Sequence, residues 1–183
     1  MIRKSLAAAV LTAAFAVPAA SADTVCGVKT EKSENGTKVT FSDVTAACMA
    51  SGACEVAAYH RKPGTPNGWS HSMTLTREGT GAAWRVLLTA SAPDADKSNP
   101  FILVVDRDPG IYVPPARIRA GAGGDFQIDA ANDVVAGFKP GKQLEWLYYE
   151  KDNPPEIHNA VLPLKGIKAA LEWVDCVQQP KKG

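Results

Sequence analysis

Side chains able to move protons or hold a metal are few in this chain of 183 residues. There are three histidines, His60, His71 and His158, and four cysteines, Cys26, Cys48, Cys54 and Cys176. Imidazole titrates near neutrality and ligates transition metals, so the histidines come first. His60 adjoins Arg61 and Lys62, His71 lies in the hydroxyl-rich stretch from Ser70 to Thr76, and His158 precedes an apolar run. None is paired locally, which predicts surface or half-buried strand positions. No catalytic residue, metal ligand or cofactor is assigned. A His and an Asp brought together in space would instead make a hydrolase, an alternative that local spacing leaves open. The hydrolase signatures G-x-S-x-G and H-E-x-x-H are missing, as is a Walker A phosphate loop. Asp106 and Asp108, in Asp106-Arg107-Asp108-Pro109-Gly110, lack the further oxygen ligands of a calcium loop. They read as turn carboxylates that accept backbone N–H groups. Gly121-Ala122-Gly123-Gly124-Asp125 is followed by no helix whose dipole would hold a phosphate, and reads as a connector.

The cysteines depend on the compartment. Arg3 and Lys4 form a basic start, Leu6 to Val17 an apolar run, and Ala20-Ser21-Ala22 a small-x-small site. Together they predict a secretory signal peptide over residues 1–22, cleaved near Ala22, and a single mature domain over 23–183. Losing Arg3 and Lys4 takes the formal charge from +1 to −1. The destination is the periplasm or beyond it, where an even number of cysteines forms disulfides. Three pairings are open. The favoured one closes the short loop Met49-Ala50-Ser51-Gly52-Ala53 with Cys48–Cys54 and joins the ends of the domain with Cys26–Cys176. Near-neutral charge without a basic cluster excludes nucleic acid as a partner. After the leader no stretch approaches the roughly 20 apolar residues of a membrane span.

The elements that must position these residues are mostly strands. Pro and Gly punctuate the chain roughly every 10 to 15 residues, as in a strand-rich domain. Asn35-Gly36 predicts an early type I′ hairpin. Strands are expected over Cys54–His60, Trp69–Arg77, Ala83–Ala90, Phe101–Asp106, Asp125–Asp129, Gln143–Glu150 and Ile157–Leu162. Short helices are expected near Asp43–Cys48 and Asn132–Phe138. Leu164, Ile167, Leu171 and Val174 fall on one face of a C-terminal helix over Leu164–Cys176 that docks on a sheet. The fold class is therefore mainly β: a single-domain antiparallel sandwich or barrel-like sheet, with one C-terminal α-helix and one or two short helices. If Leu144, Trp146 and Tyr148 face the core, Leu147 and Tyr149 face out. Tyr112-Val113-Pro114-Pro115 reads as an apolar turn prone to polyproline geometry. Tyr112, Pro114, Pro115, Leu147 and Tyr149 thus form the candidate interaction surface, for a host or periplasmic protein or for a second copy of the chain.

From Val134 to Val177 the chain reads V-V-A-G-F-K-P-G-K-Q-L-E-W-L, a polar loop, then N-A-V-L-P-L-K-G-I-K-A-A-L-E-W-V. This resembles the C-terminal half of the invasion-associated locus B family of exported bacterial proteins. Val135, Phe138, Lys139, Gly141, Lys142 and Leu144 carry the first part, and Leu164, Gly166, Ile167, Ala169, Ala170 and Leu171 the second. The family's Trp-x-Val-x-Cys strand is not matched at Cys26, and Gly124–Ile128 has no cysteine, so its disulfide framework is not carried over. The resemblance implies an exported β-rich protein associated with a host, with no catalytic residue to transfer. The alternative binding role is inhibition of a host enzyme such as lysozyme, whose basic surface would meet the acidic loop from Glu150 to Glu156.

Overall fold

A computed structural model describes residues 23–33, 35–62, 64, 68–90, 95–121, 124–151 and 156–179. The expected signal peptide lies outside these residues, as do positions 152–155 of the acidic loop.

Alternating burial builds most of the elements. In chain order the strands are β1 (Asp23–Val25), β2 (Val28–Ser33), β3 (Gly36–Phe41), β4 (Val44–Met49), β5 (Cys54–Arg61), β6 (Trp69–Arg77), β7 (Arg85–Ala90) and β8 (Phe101–Val105). There follow β9 (Ile111–Val113), a 3₁₀ turn (Pro115–Arg117), β10 (Ile118–Ala120), β11 (Asp125–Ile128), α1 (Asn132–Phe138), β12 (Gln143–Tyr149), β13 (Ile157–Pro163) and α2 (Ile167–Gln178). All the pairings are antiparallel. One sheet has nine strands in the order β1-β2-β3-β4-β5-β6-β7-β11-β10, the other four in the order β13-β12-β8-β9. Among the described residues neither sheet closes on itself, so of the two expected architectures the fold is the sandwich.

The core lies between two layers. Val44, Ala46, Val56, Ala58, Met73, Leu75, Val86, Leu88, Phe126 and Ile128 line the inner face of the long sheet. Phe101, Leu103, Leu144, Trp146, Tyr148, Ala160 and Leu162 come from the short one. The long sheet is covered jointly by the short sheet, whose β13 lies on β5 and β6, and by α2, which lies on β3, β4 and β5. Helix α2 buries Ile167, Ala170, Leu171, Trp173 and Val174. Each buried side chain of this size contributes roughly 1.5 to 3 kcal/mol before conformational entropy is subtracted. Among the described residues no helix is long and apolar enough to cross a membrane.

Several local expectations need correction. Asp43–Cys48 is not helical: Val44–Met49 is β4, with Val44, Ala46 and Cys48 buried in alternation. Pairing with β3 and β5 on both sides outweighs the helix preference of its alanines. In the first hairpin Ser33 pairs with Gly36, so Gly36 already belongs to the strand and is not a central residue of the expected Asn35-Gly36 turn. Gly36 begins β3, where a Cβ would lie 2.0 Å from the Cys48 carbonyl oxygen, so close approach of β4 is what requires glycine. Tyr112 and Val113 belong to β9, so the polyproline geometry expected over Tyr112–Pro115 is confined to Pro114, whose φ of −68° and ψ of 153° lead into the 3₁₀ turn. Helix α2 begins after Leu164 because Gly166 takes a φ of 99°.

Side-chain bonds fasten the layers. The Asp106 carboxylate accepts the backbone N–H groups of Lys142 and Gln143 at the entry to β12, a remote version of the turn role expected of it. Cys26 is joined to Cys176 and Cys48 to Cys54. Both bridges meet the C-terminal end of α2, because Gln178 Nε2 donates to the carbonyl of Gly52, inside the Cys48–Cys54 loop, at 2.7 Å. Arg77 completes this corner. It donates to Gln178 Oε1 and Asp175 Oδ1, each at 2.7 Å, with its guanidinium 4.6 Å from the Trp84 ring centre.

Candidate functional site

Strand register decides which residues of the short sheet face solvent together. On β12 the alternation that buries Leu144, Trp146 and Tyr148 turns Glu145, Leu147 and Tyr149 outward. Leu147 pairs with Ile102 of β8, which pairs with Tyr112 of β9, so these three side chains form one row across the outer face. Tyr149 pairs with Ile157, and Glu145 lies between Val104 and Val161. Tyr112 and Ile157, 60% and 62% exposed, stand at opposite margins of this apolar face. Pro114 and Pro115 are half-buried at the 3₁₀ turn and lie outside the row. Ile102, Val104, Ile157 and Val161 were not anticipated. The signal was present in the uniformly apolar run of β8, whose outer residues are as apolar as its inner ones.

A second constellation gathers the chain's three histidines. His60 and His71 are direct cross-strand partners on β5 and β6, with ring centres 6.4 Å apart. His71 meets the edge of Trp146 at 6.0 Å, and its Nε2 lies 3.2 Å from Tyr148 Oη. Its Nδ1 is 3.0 Å from Ser70 Oγ. His60 Nδ1 lies 2.9 Å from the Val161 carbonyl, tying β5 to β13. On the far side of Tyr148, the His158 ring stacks at 6.0 Å and its Nε2 faces Glu150 at 3.4 Å and Glu156 at 3.7 Å. Burial lowers the pKa of His71 from its ordinary value, and the neighbouring His60 and Lys62 lower it further.

Among the described residues, the carboxylates beside a histidine are the two glutamates at His158. The imidazole next to Ser70 is backed by a phenol, which supplies no negative charge to stabilise an imidazolium as the acid of a catalytic triad does. Among the described residues no three His, Cys, Asp or Glu side chains cluster as a metal site. A third feature, an open groove of about 660 Å³, runs over the outer face of β3, β4 and β5 and is lined by Lys38, Thr40, Thr45, Tyr59 and Arg61 among others.

No protein-family model matches the sequence, and no curated protein matches it. The fold is similar to that of a solved structure, the crystal structure of invasion associated protein B from Bartonella henselae, with a TM-score of 0.63 at 20% identity. The match covers 78% of this chain and 99% of that one, so it extends well beyond the C-terminal segment that carries the sequence resemblance. What the chain shares with invasion associated protein B is thus a fold, over nearly the whole of that protein's length.

Proposed function

We propose that this is an exported protein that acts by binding another protein through the outer face of its short sheet, in a role similar to that of invasion associated protein B. The observation that carries the reading is the row Tyr112–Ile102–Leu147, extended by Tyr149 and Ile157, which leaves a contiguous apolar surface in contact with water. Surfaces of this kind mark interaction sites more often than isolated exposed apolar residues do. Two supports stand beside it. The disulfides suit an oxidising compartment, and the fold is that of a protein named for invasion.

The test uses the mature, oxidised chain and its Leu147→Glu and Tyr112→Ala variants, immobilised and exposed to host-cell surface proteins and to periplasmic extract. Retention of a specific protein by the parent, lost in both variants at unchanged melting temperature, is the expected result. Equal retention by all three chains, or none by the parent, overturns the reading. Sedimentation of the free chain tests a second copy as the occupant. N-terminal sequencing of exported material is expected to begin at Asp23.

A further inference from the structure

The geometry points to a Cu²⁺ site formed by His60 Nε2, His71 Nε2 and Tyr148 Oη at the seam where β5 and β6 meet β12. Backbone register, and not a choice of rotamer alone, sets the two imidazoles opposite each other. The hydrogen bonds then select the tautomers. A carbonyl oxygen only accepts, so His60 Nδ1 carries the proton it gives to Val161, and the lone pair of Nε2 is left for a metal. Imidazole ligands characteristically donate their other N–H in this way, often to a backbone carbonyl. Ser70 Oγ can take the Nδ1–H of His71, which directs that ring's Nε2 lone pair at Tyr148.

The distances suit one ion. Two ligand atoms, each roughly 2.0 to 2.2 Å from a metal and adjacent in its coordination shell, lie about 2.9 to 3.3 Å apart. The 3.2 Å between His71 Nε2 and Tyr148 Oη falls in that interval. An imidazole ring centre lies about 3.2 Å from a metal bound at its nitrogen. The 6.4 Å between the His60 and His71 centres is twice that distance, so one ion between the two rings is within reach of both. Two imidazole nitrogens and a phenol oxygen make an N,O set, the preference of Cu²⁺, which also binds such ligands most tightly among the divalent first-row metals. Binding forms the Cu–O bond as the Tyr148 O–H bond breaks, with the proton released to solvent. Lys62 opposes the cation's approach from the β5 side. Beyond Tyr148, Glu150 and Glu156 at His158 favour it.

The test is titration of the metal-free mature chain with CuCl₂, followed by electron paramagnetic resonance and visible absorption. One ion per chain is expected, with superhyperfine splitting from two nitrogens and a phenolate-to-copper charge-transfer band. Tyr148→Phe should keep the nitrogen signature and lose the band. His60→Ala and His71→Ala should each weaken binding by more than the roughly 10- to 100-fold that losing a ligand's hydrogen-bond partner costs. His60 is exposed, so His60→Ala keeps the test open even where His71→Ala unfolds the seam. No binding by the parent chain, absence of the band, or undiminished binding in the double His60→Ala/His71→Ala variant would overturn the site. Leu147→Glu should bind copper like the parent, which separates this inference from the protein-binding surface.

Discussion

At Gly166 the chain has no room for any other residue. Its φ of 99° is one that L side chains rarely adopt, and a Cβ would lie 2.0 Å from the Phe41 carbonyl oxygen. Gly166→Ala is expected to cost about 2 to 4 kcal/mol, read as a fall in the urea midpoint at unchanged slope. His71 carries a prediction with a sign. Its pKa in the fold lies below the ordinary 6.5, so the unfolded chain takes up the proton first as the solution is acidified. Its stabilising contribution is complete above about pH 6.5 and is lost as pH falls toward the folded-state value. Melting temperatures of the metal-free protein should fall below that pH, and His71→Phe should remove this part of the slope. Residue-level meaning was only partly legible in the sequence. Gly141 and Gly166 stood out through a family pattern, and Leu147 and Tyr149 through alternation. The gathering of residues 60, 71 and 158 was not legible, because it depends on the register of β5 against β6 and on which strand edge meets β5.

At the scale of elements, period-two alternation was enough to recover β5, β6 and β12 almost to the residue, because each has one buried face. It failed at β4, where alanines look helical, and at β1, β9 and β10, which are only three residues long. Such strands exist because a neighbour pairs with them, and no local pattern records that. The disulfides differ by what they join. Cys26–Cys176 spans 150 residues and Cys48–Cys54 spans 6. Loop-entropy reasoning assigns about 5 kcal/mol to the first and about 2 to the second. Cys26→Ser/Cys176→Ser should therefore lower the denaturation midpoint by clearly more than Cys48→Ser/Cys54→Ser, and an equal loss would refute that account. Arg77→Ala removes both bonds to α2 together with the contact over Trp84, and is expected to cost about 2 to 3 kcal/mol by the same measurement.

For the whole molecule, α2 and the short sheet divide one task, since together they cover the inner face of a sheet too wide for either. Among the described residues nothing is seen to cover the outer face of the short sheet, so Leu147→Glu is expected to leave the melting temperature within about 2 °C of the parent, as surface changes within about 0.5 kcal/mol do. The covalent framework also bears on the order in which the chain becomes available. A chain emerging N-terminus first presents Cys26, then Cys48 and Cys54, while the native partner of Cys26 waits at Cys176. An oxidant acting on each thiol as it appears would link Cys26 to Cys48 and strand Cys54. What protects against this is the β4–β5 hairpin, in which Cys48 and Cys54 are direct cross-strand partners and can close as soon as both are out. Alkylation of thiols during oxidative refolding should find that pair formed first. Until α2 arrives, the first strands hold Cys26 without its native partner, so in the oxidising compartment proposed above maturation would be paced by the helix Ile167–Gln178 that carries Cys176.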